Sequence, residues 1–129
     1  MKTFNLAIVG LGNIGTEVYK SLNKNKDIIK KKTGFKLNIF KVSAKNYKKR
    51  RTIKIPKNKW EKNPLLLPKN KNIDIIIELV GGNKGIAKKL VFEALKNKKH
   101  VVTANKALIS KYGDELSSIA EKNKVNLEY

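Results

Sequence analysis

The stretch Leu6-Ala7-Ile8-Val9-Gly10-Leu11-Gly12-Asn13-Ile14-Gly15 decides how the rest of the chain is read. An apolar run feeds into G-x-G-x-x-G, and a helical pattern follows, so the glycines fall between a strand and a helix. Each glycine answers a separate demand. Gly10 allows a sharp turn, Gly12 lets backbone approach a pyrophosphate, and Gly15 lets the helix pack closely on the strand. The first helical turn leaves its N–H groups without intrahelical partners, and the helix dipole favours an anion beside them. Gly10, Leu11, Gly12, Asn13, Ile14 and Gly15 are therefore candidate ligands of a dinucleotide.

Working outward, Phe4–Val9 reads as a buried parallel strand. Asn13 to about Asn25 reads as a helix whose apolar face carries Ile14, Val18 and Leu22. Lys26–Gly34 reads as a basic loop. Phe35–Ala44 is a second strand, with Phe35, Leu37 and Ile39 alternating before Phe40 and Val42. Lys45–Asn72 holds all three prolines and reads mostly as loop, with a short helical turn near Trp60–Leu66. Trp60 is a lid residue or, more in keeping with its surroundings, a local hydrophobic anchor.

Ile73–Val80 is a third strand, ended by Gly81-Gly82-Asn83. Gly85–Lys98 is a helix with Ile86, Leu90 and Ala94 on one face. His100–Thr103 is a fourth strand. Lys106–Asn123 reads as a helix interrupted at Gly113, its second part capped by Asp114 and burying Leu116, Ile119 and Ala120. Val125–Tyr129 starts a fifth strand. The order β-α-β-loop-β-α-β-α-β implies a Rossmann-type doubly wound parallel sheet, a three-layer α/β/α arrangement, over residues 1–129.

In such a sheet ligands bind beyond the carboxyl ends of the strands. Small or polar residues recur at those ends: Gly10–Gly15, then Ser43-Ala44-Lys45, then Val80-Gly81-Gly82, then Thr103-Ala104-Asn105-Lys106. The end of the second strand bears on cofactor choice. A site for NAD usually carries Asp or Glu there, but no acid lies between Asp27 and Glu61. Lys45 stands at that end, with Lys48, Lys49, Arg50 and Arg51 beyond it. Cationic groups attract a 2′-phosphate, so NADP is expected ahead of NAD, with Ala44, Lys45 and Arg50 as contacts.

Glu78 interrupts an apolar strand. It either orients the following loop near the nicotinamide or is a strand-end acid paired with a lysine or backbone N–H. Lys106 opens a helix, where a cation is electrostatically disfavoured, which makes it a candidate catalytic residue on the substrate or nicotinamide side. His100, away from the crevice, reads as structural.

With 30 Lys and Arg against 10 Asp and Glu, the formal net charge is +20. A polyanion such as RNA or DNA would suit that charge. Lysine, asparagine and isoleucine are abundant together, however, arginine occurs only at Arg50 and Arg51, and aromatic residues are not interleaved with the basic run beyond Tyr47. Background lysine is the preferred reading, and no nucleic-acid partner is expected. The chain has no cysteine and one histidine, so disulfides and thiolate sites are excluded and no metal site is expected. Met1-Lys2-Thr3 runs directly into the first strand, without a signal peptide or membrane span, and a cytoplasmic protein is expected.

Three stretches together resemble the cofactor domain of homoserine dehydrogenase: Ala7–Gly15, Asp74–Gly82, and Val101-Val102-Thr103-Ala104-Asn105-Lys106-Ala107-Leu108, the last being the most specific. The resemblance implies an oxidoreductase that reduces aspartate 4-semialdehyde to homoserine with NAD(P)H, in amino-acid biosynthesis toward threonine and methionine. It implies that Gly10–Gly15 hold the pyrophosphate and Lys45 the adenosine phosphate. Gly81 and Gly82 would pass close to the cofactor. Thr103, Ala104 and Asn105 would line its nicotinamide end, with Lys106 toward the substrate.

Lys45 stands where many members carry arginine after a Ser-Ala or Ala-Ala pair. The basic loop and Lys57–Asn72 depart from the family's pattern. The family's substrate-binding and catalytic lysine and aspartate, and its monovalent cation site, belong after Tyr129. The chain thus reads as the N-terminal part of a longer, homo-oligomeric enzyme, inactive by itself. The alternatives are another dehydrogenase on the same half-fold, such as an aspartate dehydrogenase-like protein, and a basic nucleic-acid-binding module.

Overall fold

The computed structural model describes residues 2–82 and 85–129. Met1 and Asn83, both used in the sequence reading, lie outside the described residues. The elements are β1 (Thr3–Val9), α1 (Asn13–Lys24), α2 (Lys26–Thr33), β2 (Lys36–Ser43), β3 (Ile75–Glu78), α3 (Ile86–Lys96), β4 (His100–Thr103), α4 (Lys106–Lys122) and β5 (Leu127–Glu128). Two 3-10 turns, Lys57–Lys59 and Pro64–Lys69, punctuate the long connection from β2 to β3.

All strand pairs are parallel, in the order β2-β1-β3-β4-β5. Trp60 adds a single parallel bridge on the outer side of β2, at Val42, where the Glu61 amide donates to the Val42 carbonyl at 2.8 Å. Counting that bridge as a rudimentary strand gives the Rossmann order, in which the direction of strand addition reverses between β1 and β3.

Strands covered on both faces read as continuous apolar runs, and β1 shows why. Ala7 and Val9 join Ile76, Val101, Leu90, Ala94, Leu108, Leu116 and Leu67 in one core, formed against α3, α4 and the 64–69 turn. Leu6 and Ile8 join Ile39, Val42, Ile77 and Tyr19 in the other, with Val18, Leu22 and Trp60 packed alongside. The sheet is thus the middle of three layers.

The change of parity in β2 has a structural cause. Leu6 pairs with Ile39 but Ala7 pairs with Lys41, so Phe40 is an extra, bulged residue. The bulge lets Ile39 and Val42, three positions apart, reach the same core. β3 is shorter than the apolar run Ile73–Val80 because the sheet partners extend only over Ile75–Glu78.

Several local expectations are corrected. Lys26–Thr33 is a helix, not a loop. Lysine is a good helix former, Asp27 sits in the first turn, Lys30–Lys32 sit in the last turn where the dipole favours them, and the chain leaves the helix at Gly34. α4 runs unbroken through Gly113, because Leu108 and Leu116, on either side of it, are both anchored in the core. Asp114 is therefore mid-helix and caps nothing. The helical turn expected near Trp60–Leu66 begins later, at Pro64, and Trp60 packs as an anchor on the core.

Ile14 and Ile86 do not join their expected faces; they are 63% and 39% exposed. Both occupy the first turn of a helix, beyond the point where the sheet ends. Periodicity assigns a face but not the overhang.

The tightest packing lies where β1 turns into α1. A Cβ added to Gly15 would sit 1.9 Å from the Gly10 carbonyl oxygen, whereas one added to Gly12 would meet nothing within 4 Å. Overpacking against backbone is expected to lower the stability of Gly15→Ala by at least about 2 kcal/mol. Gly12→Ala meets no packing clash and should cost no more than about 1 kcal/mol, the difference between glycine and alanine at an N-cap. Urea denaturation followed by circular dichroism checks both. Equal midpoints for the two variants would contradict the packing assignment.

Candidate functional site

The turn after β1 is built from three contacts. The Gly10 amide donates to the Ser43 carbonyl at 2.8 Å, tying the end of β1 to the end of β2. Gly10 has φ +100°, and a Cβ there would lie 2.7 Å from the Leu79 carbonyl carbon, because the chain leaving β3 crosses directly over it. Gly15 rests on the Gly10 carbonyl from the other side. The turn is thereby closed so tightly that α1 begins at Asn13, with Gly12 as its N-cap.

Among the described residues no backbone or side-chain group accepts the amides of Leu11 and Gly12. They lie at the positive end of the α1 dipole, beside the open space over Gly12.

A cleft of about 640 Å³ opens over this turn. Gly10, Leu11 and Gly12 form its floor. Leu79, Val80, Pro64 and Ile86 give it an apolar wall, and Ser43, Ala44, Lys45, Asn46, Lys49 and Arg51 give it a polar, basic one. Val80 is 47% exposed, so the cleft presents apolar surface for a flat, apolar-faced group as well as donors for anions.

Of the residues expected from sequence, Gly10, Leu11, Gly12, Ala44, Lys45 and Val80 line this cleft. The Asn13 and Ile14 side chains face a separate shallow groove on α1, with Glu17, Val18 and Ser21. They can serve the cleft only through their backbone amides. Gly15 is buried beneath the turn.

Arg50 is exposed and absent from the lining; Arg51 takes that place. Neighbouring residues of a non-helical segment point in different directions, and the Arg51 guanidinium is held by backbone carbonyls and the Trp60 ring. Sequence reasoning missed Asn46, Pro64 and Ile86 as cleft residues. Only Ile86 left a signal, as an apolar residue beside a glycine at a helix start.

A second hollow, of about 550 Å³, lies at the end of β4 and is lined by Thr103, Ala104, Asn105, Lys106, Ile109, Ser110 and Tyr129. Lys106 is exposed there, at the first position of α4. By sheet order the end of β3, with Gly81 and Gly82, separates it from the first cleft.

A buried carboxylate holds this middle ground. Glu78 is fully buried; one carboxylate oxygen accepts the amides of Val80 (2.7 Å) and Gly81 (2.9 Å), and the other accepts the Thr103 hydroxyl (2.7 Å). Thr103 Oγ1 accepts the Asn105 amide (3.0 Å). Asn105 caps α4 by accepting the Leu108 amide, and it donates to the Gly82 carbonyl. Glu78 therefore pairs with backbone N–H groups and, by doing so, orients the loop that follows it.

Part of the basic surplus is structural. Lys59 donates to the Ile39 carbonyl and Lys99 to the Asn70 carbonyl. Burial lowers the pKa of both below the ordinary lysine value, with Lys26 adding to the effect at Lys59 and Asp74 opposing it at Lys99. His100 Nδ1 accepts the Asn126 amide, securing the approach to β5. No described helix is long and apolar enough to cross a membrane.

The sequence profile of the family described as "Homoserine dehydrogenase, NAD binding domain" matches residues 10–129. The homoserine dehydrogenase of Neisseria gonorrhoeae is 36% identical over 129 residues, which is all of this chain and 29% of the relative. That of Bacillus subtilis is 35% identical over 95% of this chain and 28% of its own length. The crystal structure of a homoserine dehydrogenase from Thiobacillus denitrificans superposes with a TM-score of 0.91 at 32% identity, covering 100% of this chain and 30% of that one. The chain thus spans less than a third of the length of the curated relatives it matches.

The Glu78 network predicts a contrast between two substitutions. Glu78→Leu takes the acceptor from two part-buried amides and a buried hydroxyl and should lower stability by about 3 kcal/mol, with faster amide exchange at Val80 and Gly81. Glu78→Gln can keep its oxygen on the amides and turn its NH2 toward Thr103, and should cost only about 1 kcal/mol. Urea midpoints and hydrogen exchange measure both. Similar losses for the two variants would contradict the assigned hydrogen bonds.

Proposed function

The chain belongs to the family of homoserine dehydrogenase NAD-binding domains, and from that premise we propose that it forms the cofactor-binding part of an NADP-preferring homoserine dehydrogenase. Such an enzyme interconverts L-homoserine and aspartate 4-semialdehyde in the cytoplasm, on the route to threonine and methionine.

The observation that carries the reading is the open space over Gly12, bordered by the amides of Leu11 and Gly12 for which no described group is an acceptor. A dinucleotide's diphosphate has the charge and the compactness that this cradle takes. Leu79, Val80, Pro64 and Ile86 supply an apolar wall for the adenine.

The preference for NADP rests on the basic wall. Lys45 and Lys49 line the cleft where NAD sites usually place a carboxylate. Their ammonium groups suit a 2′-phosphate, and no acid between Asp27 and Glu61 opposes it.

When bound, the nicotinamide supplies the hydride. The residues of this chain bind and orient it: the first cleft takes the adenosine and diphosphate, and Gly81, Gly82, Thr103, Ala104 and Asn105 border its nicotinamide end. Lys106, exposed in the second hollow, faces the substrate side. The 129 residues alone hold cofactor without turning over the aldehyde; the substrate groups belong to the remaining length of such enzymes.

NADPH fluorescence titration tests this directly. The parent chain should saturate at one NADPH per chain. Gly12→Val, which fills the open space with a branched side chain, should weaken NADPH binding by about a hundredfold or more while its circular dichroism stays unchanged. Lys45→Ala should raise the Kd for NADPH by about tenfold and leave that for NADH within about twofold. Tight NADPH binding by Gly12→Val, or equal losses for both cofactors in Lys45→Ala, would contradict the proposal.

A further inference from the structure

Residues 45–49 form the rim of the basic wall, and their conformation is held by one side chain. The turn is closed by the Lys49 amide donating to the Asn46 carbonyl at 3.0 Å. Arg51 then folds back over it. Its Nη2 donates to the Asn46 carbonyl at 2.8 Å, and its Nη1 donates to the carbonyls of Lys49 at 3.1 Å and Tyr47 at 3.3 Å. Three carbonyls of one turn thus converge on a single guanidinium, whose planar fork suits several acceptors at once.

The far side of the group is also fixed. The guanidinium carbon lies 5.4 Å from the centroid of the Trp60 ring, and Trp60 in turn packs edge-on against Tyr47 at 6.1 Å. Trp60 is bridged to Val42 in β2, so the turn is referred through Arg51 and Trp60 to the rigid sheet.

Arg51 lines the cleft but is poorly placed to serve a ligand. Two of its three nitrogens already donate to carbonyls, and Nε is buried with no partner among the described residues. Lys45 and Lys49 are exposed, line the same cleft, and sit on the turn that Arg51 holds.

We propose that Arg51 is the positioning residue for cofactor choice: by gathering the carbonyls of Asn46, Tyr47 and Lys49, it sets Lys45 and Lys49 where a 2′-phosphate is received, without contacting that phosphate itself. The inference rests on the NADP reading above and assigns its selectivity to a residue that acts through two others. Lysine cannot replace Arg51, because one ammonium point charge cannot reach three carbonyls and stack on Trp60 together.

The test is the ratio of Kd values for NADH and NADPH, measured by nicotinamide fluorescence on the full chain. NADH serves as internal control, because general damage to the fold weakens both cofactors alike. Arg51→Ala and Arg51→Lys should each lower the preference for NADPH by about tenfold while NADH binding stays within about twofold. In a Lys45→Ala/Lys49→Ala background, adding Arg51→Ala should leave the ratio unchanged, since the groups it positions are gone.

A further loss of preference in that background would make Arg51 a direct ligand and overturn the inference. So would an unaltered preference in Arg51→Ala, a preference kept by Arg51→Lys, or equal weakening of both cofactors. A parent chain that binds NADPH no better than NADH would sink the NADP reading and this inference with it. That result appears in the parent alone and is distinguishable from the others.

Discussion

The contact between Gly15 and the Gly10 carbonyl governs this end of the molecule. No side chain fits between them, since even a methyl carbon would fall 1.9 Å from the oxygen. Without that clearance α1 would have to start farther from the strand. With it, the first helical turn is drawn over the carboxyl end of β1, and its amides and dipole point into the cleft. The crossing of Leu79 over Gly10 extends the constraint to β3. Gly12, lying between two glycines packed against backbone, is bare for a different reason: it faces space that a ligand can fill. The motif therefore joins two packing requirements to one binding requirement.

The two ends of the crevice are organised by opposite charges used in different ways. At the end of β2, exposed lysines stand on a turn clamped by an arginine and line the cleft. At the end of β3 a carboxylate is fully buried, and it accepts hydrogen bonds from Val80, Gly81 and Thr103. A buried acceptor with three donors acts as a local nucleus, fixing backbone that would otherwise turn freely through two consecutive glycines. Asn105 then joins that loop to the start of α4, so the approach to Lys106 inherits the order of the β3 exit.

Much of this was legible in the sequence because the requirements are local. Gly10 and Gly15 are five residues apart, and the strand-turn-helix context shows in the apolar run before them. Strand ends announced themselves by small and polar residues. Other features depend on partners that sequence order hides. Glu78 and Thr103 are 25 residues apart, so a reading of either one left open whether Glu78 paired with backbone or steered the loop; in the structure these are the same interaction. Arg50 and Arg51 are equivalent in composition, and only the converging carbonyls and the Trp60 ring select Arg51. The alternation of Phe35, Leu37 and Ile39 gives way at Phe40 and Val42, but only the pairing with β1 shows that Phe40 is a bulge. Lys26–Thr33 looked like a loop because its charge masked good helix formers. Ile14 and Ile86 were assigned to the core because periodicity does not reveal where a helix overhangs its sheet.

The central claim is that the amides after β1 receive a diphosphate. Amide nuclear magnetic resonance during titration with NADP reads those groups one by one. The account predicts that the largest shifts, downfield as hydrogen bonds to phosphate form, fall on Leu11 and Gly12, with Lys45 and Lys49 following. Saturable binding that leaves the Leu11 and Gly12 amides unmoved, with the shifts elsewhere on the lysine-rich surface, would contradict it.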